Sequence, residues 1–204
     1  MLRAIVAPFV LIAHLFSSTP TVLEQRVDRI SASIIRLTAQ KEVETFMGPQ
    51  VVRGLCTGFV IAKDRVLTAA HCIGEKMHGD GKQIVRVVAV DEFYDLALVE
   101  LSTKKPVITF RDTPLKRYEP VIGVGYAFGF TKLFTTFHQV LLIDYAPRGV
   151  APGLFVSNTY ERGMSGGPVI DEDGLVVSIM QRYYGNAGYG VGVPTIRVFL
   201  LTTD

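Results

Sequence analysis

"RGMSGGPVID", residues 162–171, sets a serine between a methionine and two glycines and runs at once into a proline and an apolar stretch. Glycine permits positive φ and close approach of neighbouring backbone, so Ser165 is expected on a tight turn with its hydroxyl and the adjacent N–H groups open. By itself the segment reads first as loop punctuation, because Gly-Gly-Pro is common in turns. What surrounds it has to decide.

From residue 32 onward the chain alternates short apolar runs with glycine, proline and charged turns: "SIIRLTA", "TGFVIA", "RVLTAA", "LALVEL", "VIGVGYA", "QVLLIDY", "GLVVSIM" and "GYGVGV". The runs are rich in Val, Ile, Leu, Thr and Tyr. Turn signals such as Lys63-Asp64 and Asp171-Glu172-Asp173-Gly174 separate them. That is the pattern of an all-β sandwich or barrel. A helical period shows only over residues 21–31, where Val22, Val27 and Ile30 share a face, and in the last residues. No internal repeat or low-complexity tract interrupts the chain. The most polar, proline-bearing stretch, 102–120, is the expected subdomain boundary.

With 204 residues, 49% of them hydrophobic and 20% charged, the chain is long enough for one domain with a sizeable core. A net charge of +2 without a basic run gives no warrant for nucleic acid as a partner. Nothing in the sequence points to a metal or an organic cofactor. Residues 1–20 differ from the rest: an early arginine, an apolar run from Ala4 to Phe16 interrupted by Pro8 and His14, then small polar residues. This is the layout of a secretory signal peptide or N-terminal anchor, through which the chain can associate with a membrane, and the run is short for a span. Residues 21–204 are then the folded domain, in a secreted or extracytoplasmic protein. The two cysteines, Cys56 and Cys72, would be free thiols in the cytosol, whereas behind a leader an even count permits a disulfide.

A serine hydroxyl becomes a nucleophile only when a base takes its proton, and the base needs a third group to hold its tautomer. Of the four histidines, His14 lies in the leader, His78 in the polar "KMHGDG" and His138 in the strand-like "TTFHQV". His71 ends an apolar strand in "VLTAAHC", beside small Ala69 and Ala70. "DEFYDLALVEL" offers Asp91, Glu92 and Asp95; Asp95 directly precedes a strand that buries one face, where an unpaired carboxylate is costly. His71 is a fitting donor, and turn N–H groups are the ordinary alternative.

Taken together, His71, Asp95 and Ser165, in that chain order and inside "TAAHC", "DLALVEL" and "GMSGGP", resemble the trypsin-like serine proteases. The likeness runs from about residue 32 to the end and is nearest to bacterial HtrA (DegP-type) proteases, through "SIIRL", "GFVIAKDRVLTAAH", "VVAVDEFYDLALVEL", "GMSGGPVIDEDGLVVSI" and "GYGVGVPT". It implies two antiparallel six-stranded β-barrels with an active site in the cleft between them. It further implies a serine endopeptidase acting on proteins or peptides through an acyl-enzyme. Ser165 would be the nucleophile, His71 the general base and Asp95 its orienting partner, with the N–H groups of Gly163 and Ser165 as the oxyanion hole.

Two departures qualify the likeness. Met164 stands where digestive members carry the aspartate that receives a freed N-terminal amine, so activation by that route is not expected, and Met164 should pack into the barrel. The chain ends at Asp204, soon after the last strand, without the PDZ domain common in HtrA proteins. The resemblance also implies a Cys56–Cys72 disulfide, consistent with a hairpin turning at Lys63-Asp64, although two buried free thiols fit the sequence as well. By the same resemblance Thr159 lies at the base of the specificity pocket, walled by residues 178–182, including Met180, and by Gly190 and Gly192. An uncharged base favours small or medium apolar side chains at the cleaved position, and Arg182 near the rim favours acidic neighbours. The competing readings are a non-enzymatic binding protein on a protease scaffold and a viral or phage processing protease.

Overall fold

A computed structural model describes residues 21–203 of the chain; the leader expected at 1–20 lies outside the described residues. The first half contains β1 (Ile34–Thr45), β2 (Gly48–Ala62), β3 (Arg65–Thr68), β4 (His78–Gly79), β5 (Lys82–Gln83), β6 (Arg86–Asp91) and β7 (Leu96–Glu100). The second contains β8 (Pro120–Tyr126), β9 (Leu133–Tyr145), β10 (Gly153–Ser157), β11 (Pro168–Ile170), β12 (Val176–Tyr184) and β13 (Ala187–Gly192). Helix α1 (Val22–Ser31) precedes the first sheet and α2 (Val193–Leu201) follows the last strand.

The fold is all-β, as the strand and turn pattern requires. The six strands β8–β13 close into a barrel in the order β10-β13-β12-β11-β8-β9. The first half differs from the six-stranded barrel expected of it: it is a seven-stranded half-barrel, ordered β5-β4-β1-β2-β3-β7-β6, whose end strands do not meet. The reason is length. β4 and β5 are two residues each, too short to carry a ladder across to β6.

Several strands read as unbroken apolar runs because both of their faces are covered. Cys56 to Val60 on β2 are all buried: Cys56 and Val60 face the interior of the first half, and Phe59 faces the layer between the halves. β7 does the same, with Val99 turned inward and Leu96 and Leu98 toward the intervening layer. That layer also takes Ile122 and Ile179 from the barrel and Ile196 and Phe199 from α2, so one continuous core joins the halves. On α1, which carries a Thr21–Glu24 capping box, Ile30 is buried and Val27 packs partly against this same core. Met164 is fully buried in the second barrel, as its apolar side chain leads one to expect.

Candidate active site

Asp95 and His71 come together at the open edge of this shared layer. The turn after β6 ends with Asp95 at φ +53, a left-handed conformation that aspartate tolerates better than most residues. The Asp95 carboxylate is buried, with its side chain 5% exposed. His71 lies on a short 3₁₀ turn, Ala70–Cys72, after β3. Its Nδ1 is 2.8 Å from Asp95 Oδ2 and 3.1 Å from Oδ1, and its backbone N–H donates to Oδ1 at 2.9 Å. A carboxylate bonded twice to one residue fixes both the ring and the backbone that carries it. Burial pushes the Asp95 carboxyl upward, but the hydrogen bonds and charge of His71, together with the Arg182 guanidinium, hold it below the usual carboxylate range.

Ser165 follows a turn built from glycines that no other residue could replace without strain. Gly163 has φ +97, and a Cβ there would stand 2.5 Å from the Tyr126 carbonyl oxygen. Gly166 has φ +82, and its Cβ would collide with Thr68 Oγ1 at 2.2 Å and the Thr57 carbonyl at 2.3 Å. The turn is pinned on both sides: the Gly166 N–H donates to the Met180 carbonyl at 2.7 Å, and the Thr57 N–H donates to the Ser165 carbonyl at 2.8 Å. Among the described residues, the N–H groups of Gly163 and Ser165 donate to no protein acceptor. Two open backbone donors beside a half-buried hydroxyl form a cradle that can hold a developing negative charge.

The serine turn and the histidine turn approach each other: Cys72 Sγ, next to His71, lies 3.7 Å from the Ser165 carbonyl oxygen. In this arrangement the Ser165 hydroxyl donates to the Gln181 carbonyl at 3.2 Å and makes no hydrogen bond to His71. Such bonds often form only once substrate is bound. The Cys56–Cys72 disulfide is present, with the Cα atoms 6.0 Å apart. Cys72 reaches Cys56 through the 3₁₀ turn rather than as a rung of the β2–β3 ladder, which ends at the Phe59–Leu67 pair. The cluster Cys56, His71 and Cys72 has ligand atoms within 4.8 Å of one another, but oxidation leaves it no thiolate for a metal.

The residues expected to form a pocket are placed differently from one another. Thr159 is half-buried, next to buried Tyr160. The Met180 side chain is buried in the barrel core, and its backbone pairs with Gly166 and Gly167 of the serine turn. Gly190 lets β12 and β13 approach, since a Cβ there would stand 1.8 Å from the Ile179 carbonyl oxygen. Gly192 lines a cavity of about 390 Å³ with Leu154, Pro194 and Arg197, among others, a lining that includes none of His71, Asp95 and Ser165. His138 lies in the second barrel, bonded to the Ser157 carbonyl and to Thr136 Oγ1, and His78 sits on β4.

Three residues of the site escaped the reading of the sequence in the part they play. Thr57, fully buried, donates from Oγ1 to the Gly163 carbonyl at 2.8 Å and accepts there from the Tyr126 N–H at 2.9 Å. Its signal was a lone hydroxyl in the apolar run "CTGFVIA". Gln181 Nε2 donates to the carbonyls of Tyr94, at 2.6 Å, and Asp95, at 2.8 Å. Arg182 Nη2 donates to Asp95 Oδ2 at 3.0 Å. The polar pair following "SIM" was the only trace of these two contacts.

Known proteins share this arrangement of strands. Over 98% of its length the chain superposes on the active form of the Rv3671c protease of Mycobacterium tuberculosis, with a TM-score of 0.75 at 23% identity and 95% of that chain covered. It superposes on the HtrA-type protease AlgW in complex with a decapeptide with a TM-score of 0.73 at 15% identity, over 87% of this chain and 66% of the other. In sequence it is 30% identical to serine protease Rv3671c of M. tuberculosis over 138 residues, 61% of this chain and 35% of that protein. It is 27% identical to mitochondrial serine protease HTRA2 of Bos taurus over 218 aligned positions, 94% of this chain and 46% of that protein. The chain thus spans about a third to a half of these curated relatives. Residues 56–179, from the first cysteine past the serine turn, match the trypsin-like peptidase domain model, and the chain belongs to that family of serine proteases.

Proposed function

We propose that this chain is a serine endopeptidase in which Ser165 attacks the scissile carbonyl, His71 takes and returns the proton, and Asp95 holds the imidazole. The observation that carries the reading is the doubly bonded Asp95–His71 pair next to a serine flanked by two open backbone N–H donors. Attack requires the Ser165 hydroxyl to leave the Gln181 carbonyl and turn to His71. One neutral hydrogen bond is a net of about 1 kcal/mol, a small part of any catalytic barrier. The proton then moves from Oγ to Nε2 as the Oγ–C bond forms, and the former carbonyl oxygen becomes an oxyanion facing the N–H groups of Gly163 and Ser165. His71 next donates that proton to the leaving amine, giving an acyl-enzyme that water hydrolyses by the same steps reversed.

Substrates on this reading are proteins or peptides with a small or medium uncharged side chain at the cleaved position, since Thr159 offers no charge. The HtrA-type protease AlgW, solved with a decapeptide, supports a peptide as ligand. An exported location is supported by the disulfide and by relatives such as the probable periplasmic serine endoprotease DegP-like of a Marinomonas species. The test is Ser165→Ala. It should abolish fluorophosphonate labelling and lower peptide hydrolysis on the order of 10⁴-fold or more, with circular dichroism unchanged. Near-normal turnover in the folded variant would overturn the reading.

A further inference from the structure

β12 carries a bulge at the point where it passes Asp95. Met180 pairs with Gly190 and Arg182 with Tyr189, so Gln181 is an extra residue in the ladder. In a regular strand consecutive side chains point to opposite faces, whereas a bulge re-aims them. Here Gln181 and Arg182, adjacent in sequence, both reach Asp95: the amide of Gln181 bonds its backbone carbonyl and the guanidinium of Arg182 bonds its carboxylate.

The contact is unequal in exposure. The Arg182 side chain is 46% exposed and the Asp95 side chain 5%, so a cation with access to water reaches inward to a buried anion. Asp95 is the only carboxylate Arg182 pairs with among the described residues. A carboxylate has about four acceptor positions. The His71 backbone N–H and ring use Oδ1, and the ring and Arg182 share Oδ2.

We propose that Arg182 is a positioning residue that occupies one oxygen of Asp95 and limits how strongly this carboxylate supports positive charge on His71. The proposal rests on the serine-peptidase reading. When His71 takes a proton, the charged groups around it are the Asp95 carboxylate, the Arg182 guanidinium from β12, and Lys41 from β1, whose Nζ donates to the His71 carbonyl at 2.6 Å. Tyr184 on β12 is the other side-chain partner of Arg182. Two cations thus stand against one anion. Both cations draw on the field of the single anion that faces the ring, so less of it is left to support a proton that arrives on His71.

The test compares Arg182→Gln with Arg182→Lys. In Arg182→Gln the acidic limb of kcat/KM should move to higher pH by about half a unit to one unit, with the change in kcat rather than KM. Arg182→Lys should leave the limb near its wild-type position. A limb that superimposes on wild type in Arg182→Gln, or an effect confined to KM, overturns the proposal. A second comparison needs no turnover: acid unfolding of Ser165→Ala with and without Arg182→Gln. The depressed Asp95 carboxyl stabilises the fold above the unfolded carboxylate range, and this contribution is lost as pH falls through the folded value. Removing Arg182 raises that folded value, so the contribution at neutral pH should shrink and its loss should be complete at higher pH; coincident curves overturn the coupling. Absence of Ser165-dependent labelling in the wild-type protein would instead strike the peptidase reading, while the unfolding comparison still decides whether Arg182 acts on Asp95.

Discussion

Thr57→Val removes one hydroxyl and nearly no volume, and it tests whether the first half of the chain shapes the oxyanion cradle. Thr57 is fully buried. Its Oγ1 satisfies the Gly163 carbonyl at 2.8 Å and the Tyr126 N–H at 2.9 Å, so valine takes the partner from one acceptor and one donor on half-buried residues. Each buried unsatisfied group costs about 1–3 kcal/mol, so two cost at most about 2–6 kcal/mol, and the partial burial of this pair puts the loss toward the lower end. A domain stable by about 5–15 kcal/mol survives this. The backbone bonds of Thr57 also remain, its N–H to the Ser165 carbonyl and its carbonyl to Thr68 Oγ1. The fold should hold while Gly163, freed of the anchor on its carbonyl, shifts and carries its own N–H out of aim. One poorly aimed oxyanion donor costs on the order of 10²-fold or more in kcat. Urea unfolding gives the stability change and steady-state hydrolysis the kinetic one, with Thr57→Ser, which keeps the hydroxyl, as the control. A stability loss under about 0.5 kcal/mol together with unchanged kcat would refute the reasoning.

Asp95→Asn should fold and slow hydrolysis by about 10⁴-fold through the wrong imidazole tautomer. Asp91→Asn, which can still accept the Tyr94 N–H bond, should stay near wild type, and the reverse pattern in a peptide assay would refute the choice of carboxylate. Reducing the Cys56–Cys72 bridge, whose ends are 16 residues apart, should remove about 3 kcal/mol. In a domain of this size that lowers Tm by about 6–12 °C, and hydrolysis should weaken as well because Cys72 adjoins His71; an unchanged melting curve after reduction would refute it. Burial holds the His138 imidazole below the usual histidine range. The unfolded chain therefore binds a proton below about pH 6.5 that the folded chain does not, and stability should fall as pH drops from there toward the lower folded value. Tm measured from pH 7 to 5 should decline more steeply in wild type than in His138→Gln, and equal slopes would count against it.

The sequence by itself determined whatever depends on local chemistry. The strand and turn alternation specified an all-β chain, and α1 and α2 lay where a helical period stood out. The glycines of "RGMSGGP" marked the serine turn because positive φ at 163 and 166 is a property of the residues themselves. Met164 was legible as a core residue because nothing in its side chain can pair with a charge. Only the tertiary structure decided the contacts that depend on register between distant strands. The half-open first sheet follows from where β4 and β5 run out of pairing partners. The Thr57 anchor needs β2 and the serine turn, 106 residues apart, brought face to face. Arg182 reaches Asp95 because β12 slips by one residue against β13, which brings two successive side chains to the same carboxylate. Such a slip leaves no mark on periodicity, because it belongs to the pairing of two strands and to neither strand alone.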